Sequence, residues 1–98
     1  MTLSLSAQYF AFDRSTLTVP AGASVTINFS QGDDGVYHNF AVYETLPGGQ
    51  TRPVFVGATI LGPSSAVYSF TAPAAGGDYF FECDVHPLQM TGKLVVTP

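Results

Sequence analysis

The sequence predicts an all-β fold, an antiparallel β-sandwich of seven to eight strands, on three observations. Ser24 to Ser30 alternates polar and apolar side chains without a break, the period of a strand with one face in a core and one in water. Clusters of turn-forming residues separate the other apolar stretches at short intervals. No Gly- and Pro-free window of about 11 residues carries apolar side chains at helical spacing, although the 44–64 stretch has room for a single helical turn.

In chain order, Met1 to Ser6 alternates like a strand and lacks the charged start and long apolar run of an export signal. Leu17-Thr18-Val19 runs into Pro20-Ala21-Gly22, where Pro fixes φ and Gly accepts a positive one. After the Ser24 to Ser30 strand, further strands are expected at Tyr37 to Tyr43, Val54 to Ile60, Ala66 to Thr71, Tyr79 to Cys83 and Lys93 to Thr97. Between them lie Gln31 to Gly35, Pro47-Gly48-Gly49, Leu61 to Ser65 and Ala72 to Asp78. Asp33 and Asp34 in the first of these breaks read as a solvated loop, and Asp13, Glu44, Asp78 and Glu82 as solvated face.

A chain of 98 residues with 46% apolar and 10% charged side chains fits one ordered domain, residues 1–98. Seven acidic residues against Arg14, Arg52 and Lys93 give a net charge of −4 and no basic stripe, which argues against nucleic acid and favours encounter with a basic protein. No run of about 18 apolar residues offers a membrane span. One cysteine excludes an internal disulfide.

The chemistry concentrates in Phe80 to Lys93, where a thiol (Cys83), an imidazole (His86) and a thioether (Met90) fall within eight residues. Taken singly, each reads as ordinary: a buried thiol or thioether fills core space. Jointly they are soft donors, of the kind that holds copper when two imidazoles and a thiolate form a plane and a thioether lies along its axis. The remaining histidine, His38, shares strand parity with Phe40 and Val42, so it faces inward if they do. Cys83 shares parity with Tyr79 and Phe81. Both donors are thus expected at one end of the sandwich.

These segments resemble a known family. Phe12 to Ile27, His38-Asn39 and Cys83 to Lys93 together resemble a cupredoxin, a small type 1 blue copper protein of the plastocyanin and amicyanin kind with a Greek-key sandwich. The resemblance implies one copper ion cycling between Cu(II) and Cu(I), with His38, Cys83, His86 and Met90 as its ligands and no enzymatic activity. It implies that Asn39 ties its strand to the ligand loop, with its backbone N–H available to the thiolate sulfur. Three residues separate His86 from Met90, one more than in the amicyanin pattern and one fewer than in the plastocyanin pattern.

Asp84 stands where Ser or Thr is usual in those relatives and adds negative charge near the metal. Val85 stands where Pro is usual and retains an N–H that could reach the sulfur. These two changes push the potential in opposite directions.

Electrons are expected to pass through His86, with Pro87, Leu88 and Val36 forming the docking surface for a redox protein such as a cytochrome or a copper or haem oxidoreductase. The chain is expected to be a monomer working outside the cytoplasm, with any export signal or membrane tether absent from this sequence. The alternatives are an electron-accepting domain cut from a larger copper oxidase or reductase, or a copper carrier. Two histidines are too few for further copper sites, and one cysteine is too few for a binuclear centre.

Overall fold

The computed structural model describes residues 1–98 and contains no helix. Eleven strands follow in order: β1 (Thr2–Gln8), β2 (Ala11–Phe12), β3 (Thr16–Pro20), β4 (Ser24–Gln31), β5 (Tyr37–His38), β6 (Ala41–Thr45), β7 (Thr51–Val56), β8 (Ile60–Leu61), β9 (Ser64–Thr71), β10 (Gly77–Glu82) and β11 (Thr91–Thr97). They form one sheet in the order β2-β1-β4-β9, a second in the order β3-β11-β10-β6-β7, and a small β5-β8 ribbon.

The all-β expectation holds, and the strand count rises to eleven because three two-residue strands are too short to leave a periodic signal. Two pairings are parallel, β1 with β4 and β3 with β11. Parallel neighbours need a crossover of a dozen or more residues. The 15 residues from Tyr9 to Ala23 supply it for β1 and β4 by carrying β2 and β3.

Alternation works as the sequence predicts. β4 buries Val25, Ile27 and Phe29 at 0–1% exposure, while β11 buries Leu94 and Val96 from the facing sheet. Leu5 and Ala7 of β1 and Leu17 and Val19 of β3 complete the two inner faces. Each large apolar side chain buried this way contributes about 1.5–3 kcal/mol. Phe40 sits in the middle of an aromatic group, 5.5 Å from Phe81, 6.2 Å from Phe70 and 6.4 Å from Tyr68 between ring centroids.

The strand expected at Tyr37 to Tyr43 is broken after His38, and the five residues His38 to Val42 are all buried. Parity therefore does not set the direction of His38. The break frees β5 to pair with β8, His38 opposite Ile60, while β6 joins β10 in the larger sheet. Gly57 fits beneath this break: its N–H donates to the Phe40 carbonyl, and an added Cβ would lie 2.7 Å from both that oxygen and the Tyr68 ring.

Candidate metal centre

β10 ends at Glu82, and the chain then folds back on itself before β11. Three backbone bonds shape that return: His86 N–H donates to the Cys83 carbonyl at 3.1 Å, Met90 N–H to the His86 carbonyl at 3.0 Å, and Cys83 N–H to the Met90 carbonyl at 2.9 Å. The loop is closed at its base by its own first and last donor residues. Cys83 and Met90 are fully buried, His86 is half-buried, and Leu88 at the tip is 93% exposed.

The fold brings the loop against His38. Cys83 Sγ lies 3.6 Å from His38 Nδ1 and 3.9 Å from His86 Nδ1, and donor atoms of all three residues lie within 4.8 Å of one another. A metal with bonds of about 2.3 Å to sulfur and 2.0–2.1 Å to nitrogen holds the two about 3.6–3.8 Å apart at ordinary angles. The sulfur–nitrogen separations therefore fit a single ion, and the donors are the soft set that suits copper. Met90 is packed in the core cluster beside Cys83.

His38 is oriented from behind. Its Nε2 lies 2.7 Å from Asp33 Oδ2. An ionised carboxylate only accepts, so Nε2 is the donor in this bond, and Nδ1 is the ring atom turned toward the sulfur. Such a carboxylate behind a histidine is a recurrent support for metal ligands.

Asp33 is thus not the solvated loop residue expected; it is 8% exposed, whereas Asp34 beside it is exposed. Burial alone would raise its pKa. The Phe10 N–H, the His38 ring and the Tyr9 N–H outweigh that and hold the carboxyl below its ordinary value.

Asn39 joins its segment to the loop between β10 and β11. Its side-chain oxygen accepts from Asp84 N–H at 2.8 Å, and its amide donates to the Gly57 carbonyl at 2.9 Å and to Asp84 Oδ2 at 3.2 Å. The Cys83 sulfur lies within hydrogen-bonding reach of the two imidazole nitrogens. Val85 stands exposed in the loop. The other Asp84 oxygen accepts from the Tyr43 hydroxyl at 2.7 Å. Burial, helped by Asp84 and Glu82, pushes that hydroxyl up to about 12. Glu82 is half-buried rather than solvated, and burial together with Asp84 raises its carboxyl to about 7.

A two-residue turn at the site escaped sequence reasoning. β1 and β2 are joined by the two-residue turn Tyr9-Phe10, with φ of 55° and 58°. A turn with two positive φ values normally signals itself by Asn-Gly, so an aromatic pair gives no cue. Each left-handed residue costs roughly 1–2 kcal/mol. The turn sets the Phe10 ring edge-on to both histidines, 5.7 Å from His38 and 4.9 Å from His86.

A family model described as a cupredoxin-like domain matches residues 2–96. The chain belongs to the cupredoxin-like family. Auracyanin-A of Chloroflexus aurantiacus is 32% identical, the similarity covering 88% of this chain and 67% of that protein. Among solved structures, auracyanin A of the same bacterium, described as a "blue" copper protein, superposes with a TM-score of 0.85 at 27% identity, over 99% of this chain and 98% of that one. Dithionite-reduced auracyanin from Roseiflexus castenholzii has the same TM-score at 24% identity, over 99% and 97% of the two chains.

Proposed function

We propose that this cupredoxin-like chain is a mononuclear blue-copper electron carrier whose ligands are His38, Cys83, His86 and Met90. The observation that carries the reading is the convergence of one thiol and two imidazole nitrogens at separations that suit one ion. Bound copper supplies a one-electron Cu(II)/Cu(I) couple. The chain's contribution is rigidity and exclusion of water. Cys83, His38 and Met90 are fully buried, so their positions are fixed by core packing before any ion arrives. Asn39 pins the loop through two hydrogen bonds to Asp84, and β10 and β11, neighbours in one sheet, hold the loop's ends.

His86 is the one half-buried member of the set and the natural point of contact with a redox protein. Pro87 and Leu88 follow it as exposed residues in the same loop, and Val36 is half-buried two positions before His38. This apolar rim is the proposed docking surface, set in a chain of net charge −4 that favours a basic partner such as a cytochrome. An extracytoplasmic setting and a monomeric, non-catalytic carrier complete the reading. No helix of the structure is long and apolar enough to cross a membrane.

Voltammetry of the copper-reconstituted chain tests the function: a reversible one-electron wave supports it, and a copper-bound chain without one contradicts it. Leu88→Lys tests the rim. It should slow reduction by a partner protein several-fold while leaving the visible spectrum alone, and unchanged rates would remove Leu88 from the docking surface.

A further inference from the structure

Tyr9 and Phe10 pose a question of satisfaction. In a two-residue turn of this handedness the amides of both central residues point away from the hairpin and have no partner within it. Here both are taken by one side chain: Tyr9 N–H donates to Asp33 Oδ1 at 2.6 Å and Phe10 N–H to Asp33 Oδ2 at 3.0 Å. Oδ2 also takes His38 Nε2–H. Asp33 is itself fixed from below, because its N–H donates to Gln31 Oε1 at 2.6 Å while Gln31 Nε2 donates to the Val36 carbonyl at 2.6 Å. The Gly32 N–H donates to the Ala7 carbonyl at 2.9 Å, which keeps this segment against the end of β1.

The second histidine has no such polar support. Among side chains, His86 has only the Cys83 sulfur as a hydrogen-bonding partner, at 3.9 Å. What surrounds its ring is aromatic: Phe10 at 4.9 Å and His38 at 4.9 Å, both in edge contact. Phe10 reaches that position only because the turn is left-handed at two successive residues. The acceptor that satisfies the turn's outward amides is Asp33.

We propose that Asp33 is a positioning residue for both donor histidines, orienting His38 by a direct hydrogen bond and His86 through the Tyr9-Phe10 turn, whose Phe10 ring packs on it. Its importance for function rests on the copper reading above, but the geometry belongs to the metal-free chain. One carboxylate thereby presets two ligands that lie 48 positions apart, and it does so from a loop that contributes no ligand itself. Phe10, 42% exposed, then forms part of the surface over the histidine pair.

The test is nuclear magnetic resonance of the metal-free chain and two variants. Asp33→Asn offers one acceptor oxygen in place of two, so amide exchange at Tyr9 and Phe10 should accelerate at least tenfold while Leu94 and Val96 in β11 keep their protection. The His38 ring nitrogen shifts should lose the Nε2–H tautomer preference, and the Phe10–His86 contact should weaken. Phe10→Leu should leave the two turn amides and the His38 tautomer as they are, yet release His86 into a second ring orientation.

Unchanged protection at both turn amides in Asp33→Asn overturns the proposal. So does a single His86 orientation in Phe10→Leu. An Asp33→Asn chain that fails to fold also contradicts it, by making Asp33 a residue of global stability rather than of ligand placement. A chain that gives these results but forms no blue copper site refutes the proposed function and leaves Asp33's positioning role intact.

Discussion

The Cys83 sulfur lies 3.6 Å from His38 Nδ1, although the two are 45 positions apart in the chain. The fold, not the loop, brings them together: β5 and the end of β10 reach the same end of the sandwich, and Asn39 and Asp84 join the segments directly behind the donors. A site assembled this way exists before the metal does, so metal binding should stabilise the native state without having to build it.

Metal linkage follows from that arrangement. An ion that binds only the folded chain at about 100 times its dissociation constant adds about 2.7 kcal/mol of stability. Zinc, which suits the same cysteine and histidine donors, should raise the melting temperature of the wild-type chain, and Cys83→Ser should abolish the rise. Melting curves with and without Zn(II) check this; an equal rise in both proteins would place the ion elsewhere.

Asn39→Ala should cost more than a surface substitution. It leaves the Asp84 N–H and the Gly57 carbonyl without their partner, and each buried orphan costs roughly 1–3 kcal/mol. Chemical denaturation of the metal-free variant should show that loss, together with faster amide exchange at Asp84.

Phe40→Ala should be the more severe core change. Phe40 is fully buried among Phe55, Tyr68, Phe70 and Phe81, and truncating such a ring costs roughly 3–5 kcal/mol. Because Phe40 lies two residues from His38, zinc affinity should fall with stability. A variant that denatures like the wild type would mean that the aromatic group is not the keystone of this end of the fold.

Alkaline pH should destabilise the chain in a defined window. Burial, with the Cys83 charge adding to it, pushes the Tyr68 hydroxyl up to about 12 from an ordinary 10.0, and this hydroxyl donates to the Ala58 carbonyl at 2.6 Å. The folded state keeps a proton that the unfolded chain releases, so stability falls as pH rises above 10 and continues to fall toward about 12. Tyr68→Phe removes that contribution. Urea unfolding between pH 9 and 12 should show a shallower decline for the variant, and parallel curves would contradict the assignment.

Much of this was legible in the sequence because its signals are local. The alternation of Ser24 to Ser30 gave β4, and the donors within Cys83 to Met90 pointed to the loop between β10 and β11 as the candidate site. What stayed hidden depends on partners distant in the chain. Asp33 looks like a loop acid until the Tyr9-Phe10 turn is folded onto it. The left-handed turn itself lacks its usual residues. The break after His38 is driven by pairing with Ile60, 22 positions away, and no periodicity within residues 37–43 could announce it. Parallel pairing of β1 with β4 leaves no mark in either strand, since alternation is the same in both orientations.

The most direct test of the central claim is the visible absorption spectrum of the metal-free chain after one equivalent of Cu(II). The account predicts an intense band near about 600 nm, bleached by ascorbate and missing in Cys83→Ser, with an electron paramagnetic resonance signal that disappears on reduction. A colourless complex with an ordinary tetragonal copper signal would contradict it, because the thiol and the two imidazoles would then not share one ion.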